Sequence, residues 1–154
     1  MKTLGLLLVA FILLGCDKGE KEIVVVPRNY TGLILIIYDQ PNGADPVFQD
    51  GKRVYEIPSN GILKTKFSPN PGWIGLTEFY YESISPENKI LFKLDPRIIP
   101  ADTVVASGGT AGSIKKEAGG KEYIRFLEYY VGNKDQISVA REQVPKLDII
   151  KLAQ

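Results

Sequence analysis

Residues 23–38 have the sequence Ile-Val-Val-Val-Pro-Arg-Asn-Tyr-Thr-Gly-Leu-Ile-Leu-Ile-Ile-Tyr, which is two short apolar runs separated by a turn. β-Branched side chains dominate both runs, and continuous apolar runs of this length are typical of strands that are buried on both faces. Pro27 begins the turn and Gly32 ends it, as is common for these residue types. This stretch therefore predicts two strands, residues 23–26 and 33–38, paired as a hairpin.

A second pair of apolar runs follows the same plan. Residues 54–57 and 62–67 flank the sequence Pro58-Ser-Asn-Gly61. Asn-Gly is a strong turn signal because both residues tolerate a positive φ angle. We expect a second hairpin here.

Three further strands are predicted at residues 75–82, 89–94 and 121–131. The last of them has apolar side chains on both faces and is expected to lie centrally in its sheet; one face has Ile124, Phe126 and Tyr130, and the other has Leu127, Tyr129 and Val131. Short strands separated by turn signals are typical of sandwiches and barrels.

The remaining segments are expected to be a loop, a helix and a tail. Residues 107–113, Ser-Gly-Gly-Thr-Ala-Gly-Ser, are predicted to form a flexible loop, and residues 135–144 a short helix that ends at Pro145. Residues 147–152 are an apolar tail with no clear period. Together these patterns predict a mainly β fold over residues 23–154: a single antiparallel β-sandwich or open barrel with a short C-terminal helix.

The N-terminus has the three parts of an export signal. Lys2 supplies the positive charge, residues 4–14 form an apolar run, and the small residue Gly15 precedes Cys16. A helix that spans a bilayer needs about 20 apolar residues, and charged residues follow Cys16 directly. We expect residues 1–15 to be a cleaved signal peptide and not a transmembrane anchor.

Leu13-Leu-Gly-Cys16 resembles the lipobox of bacterial lipoproteins. The resemblance implies that the Cys16 thiol receives lipid and that the signal is removed before it, which anchors the chain to a membrane through two or three acyl chains. An ordinary cleaved signal or a buried N-terminal helix is the alternative.

Residues 16–22 are predicted to be the lipid anchor followed by a charged tether, because Asp17 to Glu22 contain no apolar residue to bury. The stretch resembles the acidic segment of some outer-membrane and surface lipoproteins. Asp17 also resembles an inner-membrane retention signal, so either membrane is possible, with the domain outside the cytoplasm.

The composition excludes several classes of function. The chain has 19 Lys and Arg against 18 Asp and Glu, a balance that disfavours a nucleic-acid partner. Cys16 is the only cysteine, so the chain has no second cysteine for an internal disulfide. The chain also has no histidine, which removes the commonest general base, the commonest zinc ligand and any Ser-His-Asp triad. No metal and no cofactor are predicted.

The sequence Tyr55-Glu-Ile-Pro-Ser-Asn-Gly-Ile-Leu-Lys-Thr65, together with Glu128-Tyr-Tyr-Val-Gly132, resembles a family of small uncharacterised bacterial lipoproteins and secreted domains of unknown function. That family shares the motif Tyr-x-Ile-Pro-x-Asn-Gly-x-Leu-x-Thr, and the resemblance extends over about residues 22–136. It implies no activity and no catalytic residues. The motif indicates architecture, with its apolar residues expected as cross-strand neighbours.

Two candidates for a site depend on polar groups. The glycine-rich residues 107–113 could bind an anion through backbone amides, but they lack the ending of a P-loop. Paired carboxylates could serve glycoside hydrolysis, for which the candidates are Glu78, Glu82, Asp39, Asp45 and Asp50. The acidic segment from Asp39 to Asp50 could also hold calcium, although its spacing does not match an EF-hand.

Aromatic residues are the remaining candidates. Trp73, Phe79, Tyr80 and Tyr81 fall within nine residues, and alternation along a strand is expected to turn at least one ring outward. Exposed rings stack on sugars or anchor protein partners. Trp73, Tyr80 and Tyr81 are therefore predicted to contact a ligand, with core packing as the alternative.

These observations lead to one expected function and two alternatives. The expected function is that of a lipid-anchored envelope protein whose non-catalytic β domain binds or scaffolds a glycan or another envelope protein. The alternatives are a carboxylate-dependent envelope hydrolase and an inhibitor or immunity lipoprotein.

Overall fold

The structure, a computed structural model, describes residues 19–72 and 74–154. Within these residues, ten strands form two five-stranded sheets that pack face to face. In chain order the strands are β1 (Glu22–Val26), β2 (Gly32–Ile37), β3 (Val47–Gln49), β4 (Lys52–Glu56), β5 (Ile62–Lys64), β6 (Glu78–Tyr81), β7 (Lys89–Ile90), β8 (Phe92–Lys93), β9 (Val105–Lys115) and β10 (Tyr123–Gly132). Sheet 1 has the order β3-β4-β1-β6-β7, and sheet 2 has the order β5-β2-β10-β9-β8.

The core lies between the two sheets. Val24 and Val26 of β1 face Ile34 and Ile36 of β2 within one buried cluster, which explains the β-branched composition of both runs. The aromatic ring of Phe79 packs edge-on against Tyr129, with ring centroids 5.0 Å apart. The mainly β sandwich predicted from the sequence is confirmed.

The C-terminal helices cover the outer face of sheet 2. Helix α1 (Lys134–Gln143) continues as a 3-10 turn and is followed by the short helix α2 (Ile149–Leu152). Ile137 of α1 packs on Tyr130, and Ile149 of α2 packs on Leu35. Because β2 is covered on both faces, every position from Leu33 to Ile37 can be apolar. The predicted C-terminal helix is confirmed, and the described residues include no helix long and apolar enough to cross a bilayer.

Both predicted hairpins are wrong. β1 belongs to sheet 1 and β2 to sheet 2, and the same holds for β4 and β5. Each turn therefore leads the chain from one sheet to the other, so that the two strands face each other through side chains and not through backbone hydrogen bonds. Turn residues such as Pro, Asn and Gly are common to both kinds of connection, so they do not distinguish a hairpin from such an arch.

The antiparallel arrangement predicted for the sheets is correct only in part, since both sheets are mixed. The β4–β5 arch stacks on the β1–β2 arch, which makes β4 parallel to β1 and β5 parallel to β2. β6 is also parallel to β1, and β8 is parallel to β9. Gly61 is needed where the arches touch, because its φ is +77° and a Cβ atom there would collide with the Tyr30 hydroxyl and the Leu33 carbonyl.

The late aromatic strand agrees with its prediction. β10 is the middle strand of sheet 2, antiparallel to β2 on one side and to β9 on the other. Leu127, Tyr129 and Val131 face the core between the sheets, whereas Ile124, Phe126 and Tyr130 face the C-terminal helices.

Candidate functional site

A cavity of about 470 Å³ lies between the sheets at one end of the sandwich. This is the end at which β1 begins and β2 ends, and we call it the open end. Its wall includes Glu22 of β1, Tyr38 just after β2, and Tyr129 of β10. Pro69, Asn70 and Ile74, from the segment between β5 and β6, line another side.

Glu22 is the buried acidic group of this cavity, with 2% of its surface exposed. Alternation along β1 places Glu22 on the same inward face as Val24 and Val26, which are 0% and 1% exposed. The predicted tether included Glu22, but β1 begins at this residue, one position earlier than the predicted strand.

Two hydrogen bonds hold one oxygen of the Glu22 carboxylate. Its Oε1 atom accepts from the Tyr55 hydroxyl at 3.1 Å and from Asn70 Nδ2 at 3.0 Å. The Oε2 atom is buried and has no hydrogen-bond partner within residues 19–72 and 74–154. Burial raises the pKa of the Glu22 carboxyl above its ordinary value of 4.5, and the hydrogen bonds and the Arg53 charge lower it by less.

Asn70 is fixed by the chain that leads into β1. Its side-chain oxygen accepts from the Glu20 backbone N–H at 3.1 Å, and its Nδ2 donates to the Glu20 carbonyl at 2.6 Å. The same amide group thus supports both the start of β1 and the Glu22 carboxylate.

Three tyrosines surround Glu22. Burial raises the pKa of the Tyr38, Tyr55 and Tyr129 phenols well above their ordinary value of 10, so all three are neutral at physiological pH. The Tyr129 hydroxyl is paired with the Thr77 hydroxyl at 2.9 Å. The rings therefore present apolar and π surface to the cavity together with polar oxygen atoms.

Arg125 stands at the rim of the cavity. Its guanidinium lies 2.7 Å from the Asp39 carboxylate, and its side chain is 54% exposed. Asp39 also accepts from the Ser68 hydroxyl at 2.6 Å. This exposed ion pair joins β10 to the turn after β2 at the mouth of the cavity.

The prediction of a flexible loop at residues 107–113 is wrong. These residues lie within β9, which pairs with β10 from Val105 to Lys115, with a register shift near Gly108 and Gly109. Gly109, Ala111 and Ser113 line the cavity on the side of β9. Because these side chains are small, they leave between the sheets a space that larger side chains would fill.

A model of a family of unknown function, DUF6843, matches residues 18–140. The chain belongs to this family. This match confirms the expectation of a family of unknown function, while the motif and the lipoprotein character expected for that family stay predictions.

The chain shows a distant similarity to a solved structure. A crystal structure of a "Putative Lipoprotein" from Bacillus anthracis is 16% identical and superposes with a TM-score of 0.49, over 72% of this chain and 68% of that chain. No curated protein matches the chain at a significant level.

Within the described residues, none of the residues predicted to contact a ligand lines the cavity. Cys16 and Trp73 lie outside the described residues. Tyr80 is 7% exposed, packs with Ile23 on the outer face of sheet 1, and donates to Glu78 Oε2 at 2.7 Å. Tyr81 is half-buried and packs against the core between the sheets. Their role as ligand contacts stays a prediction.

The candidate carboxylates are dispersed, and all of them except Asp50 form ion pairs within the described residues. Glu78 lies 2.5 Å from Lys52, which lowers the pKa of the Glu78 carboxyl, and Glu82 lies 2.6 Å from Arg28. Asp45 pairs with Lys66 at 2.7 Å. Across the described chain no three acidic residues form a group that could hold a metal ion.

Sequence reasoning missed Glu22, Asn70 and Tyr38 as members of a site. For Glu22 a signal existed, because it is in phase with the inward-facing valines of β1. For Asn70 and Tyr38 there was none, since they reach the cavity from separate parts of the chain.

Proposed function

We propose that this chain is a lipid-anchored protein of the bacterial envelope whose β sandwich binds a small ligand in the Glu22 cavity without catalysing a reaction. The cavity between the sheets, with a buried carboxylate in its wall, is the observation on which the proposal depends. Its volume of about 470 Å³ falls in the range of roughly 300–1,000 Å³ that is usual for small-molecule sites.

The lipid anchor rests on the lipobox-like sequence that ends at Cys16. Glu22 is six positions after Cys16, and an extended chain spans about 3.5 Å per residue. A lipid on Cys16 would therefore keep the open end within roughly 20 Å of the membrane surface. With that anchor, the cavity would take up its ligand close to the membrane.

The absence of catalysis is supported by the residues that line the cavity. Glu22 is the single carboxylate among the described lining residues, and the chain has no histidine. Hydrolysis of a glycoside by the usual route requires two carboxyl groups on either side of the bond. A glycan remains a suitable ligand class, since aromatic rings and one carboxylate can hold a sugar without cleaving it.

Palmitate labelling in cells tests the anchor. We expect the wild-type chain to incorporate the label and Cys16→Ser to incorporate none, because the thiol is the acylation site. Tyr80→Phe, which leaves Cys16 in place, is the matched control and should label fully. Equal labelling of Cys16→Ser and the wild type would remove the anchor from the proposal.

Native mass spectrometry of the full chain, purified from envelopes, tests the binding. We expect a bound mass on the wild type that is lost in Ala111→Leu, because the larger side chain occupies the cavity. Thr110→Leu, on the neighbouring position of β9 and outside the cavity lining, should keep it. An identical bound mass in both variants would show that the ligand is held elsewhere.

A further inference from the structure

The two oxygens of the buried Glu22 carboxylate are hydrogen-bonded unequally. A buried ionised group is costly unless it is paired and fully hydrogen-bonded. Here Oε1 has two donors, while Oε2 has none from the described residues. Among the described residues, Oε2 thus has capacity for a further donor, and a positively charged donor would be the most stabilising one.

The cations of the neighbouring strand are engaged elsewhere. Arg53 donates to Glu20 at 2.5 Å and to the Ser68 carbonyl at 2.6 Å, and its guanidinium stacks over the Phe67 ring. Lys52 is paired with Glu78 at 2.5 Å. Among residues 19–72 and 74–154, no lysine or arginine forms a salt bridge with Glu22.

The rest of the cavity suits an organic cation better than a hydrated inorganic one. Tyr38 and Tyr129 are the aromatic lining residues whose side chains face the space between the sheets. The faces of such rings attract ammonium groups, and their edges pack on hydrocarbon. A hydrated metal ion would in addition need several oxygen ligands, whereas Glu22 is the single acidic residue in the described lining.

We infer that the cavity binds a small primary ammonium compound with an apolar body, whose charged nitrogen pairs with Glu22 Oε2. The inference depends on the proposed function, because it specifies the ligand class of the same cavity. The ammonium group would donate to Oε2, and the apolar body would occupy the space beside Gly109 and Ala111.

Isothermal titration calorimetry on the full chain in phosphatidylcholine nanodiscs tests this inference. The probes are 2-phenylethylamine and its neutral counterpart 2-phenylethanol, with empty nanodiscs as the blank. We expect the wild type to bind the amine at least about tenfold more tightly than the alcohol, because a desolvated ion pair and cation–π contacts are added. Glu22→Gln should keep the fold and reduce that preference to about twofold or less, since the carboxylate charge is removed and the ammonium group can only donate to an uncharged amide oxygen.

The outcomes separate the ligand class from the binding role. Equal affinity for both probes in the wild type, with both lost in Ala111→Leu, would overturn the ammonium assignment while the binding function stands. A preference for the amine that persists in Glu22→Gln would also overturn it. If neither probe binds, the ammonium assignment fails, and the bound mass detected from envelopes then decides the proposed function by itself.

Discussion

At the end of the sandwich where β1 ends and β2 begins, the two sheets meet through side chains that exclude water. At the open end they flank a cavity that opens to solvent, and the β9 residues Gly109 and Ala111 in its wall are exposed. Val26, Ile34 and Val131 at the closed end are 1%, 0% and 0% exposed. At the open end β9 changes to small residues, Gly109, Ala111 and Ser113, and β1 begins with a carboxylate. The same pair of sheets thus forms a packed core at one end and a binding cavity at the other, because side-chain volume changes along two strands.

The largest expected effect is at the closed end. Ile34→Ala should lower the free energy of unfolding by about 2–5 kcal/mol, since it removes a fully buried side chain and leaves a void. Urea denaturation measures this loss. Ile114→Ala, at a residue of β9 near the open end that is 38% exposed, is the matched control and should cost less than about 1 kcal/mol. Similar losses in the two variants would mean that the ends do not differ in packing.

Glu22→Gln should change the free energy of unfolding by an intermediate amount, and it should raise this free energy where Ile34→Ala lowers it. The amide still accepts hydrogen bonds from Tyr55 and Asn70 and carries no buried charge, so at pH 7 the variant should be more stable by about 1–3 kcal/mol.

The pH dependence of that gain follows from the raised pKa of Glu22. A carboxyl group whose pKa is higher in the folded state stabilises the fold at pH values below its unfolded-state pKa. This contribution is lost as the pH rises through the folded-state pKa. The difference between Glu22→Gln and the wild type should therefore be small below pH 4.5 and grow above it. Urea denaturation at pH 4 and pH 7 measures both values. A gain that is the same at the two pH values would mean that the Glu22 carboxyl is not the cause.

The smallest expected effect on stability is from Ala111→Leu, within about 0.5 kcal/mol. The new side chain extends into existing space at the open end and displaces no packed residue, so ligand binding should be lost while the fold is retained. Urea denaturation and the calorimetric titration of the same preparation measure the two quantities. A loss of several kcal/mol would indicate that Ala111 lies in a packed core and not in a cavity wall.

The strands themselves were largely predictable from local sequence. Val24, Val26, Ile34 and Ile36 belong to apolar runs that have few alternatives to buried strands, and the two faces of β10 follow from alternation alone. The partner of each strand was not predictable, because Pro58, Asn60 and Gly61 suit a hairpin and an arch equally. The glycine-rich stretch was misinterpreted as a loop since small residues on a strand and in a flexible segment have the same composition.

The amino-acid sequence by itself determined a mainly β domain with a C-terminal helix, the expectation of a lipid anchor at Cys16, and the absence of histidine chemistry. These depend on residue type and on spacing within a few positions. Only the tertiary structure decided that the arches stack into mixed sheets and that Glu22, Asn70 and Tyr129 meet around one cavity. The physical reason is distance along the chain. Glu22 and Asn70 are 48 positions apart and Tyr129 is farther from both, so only the packing of the two sheets brings the three residues together.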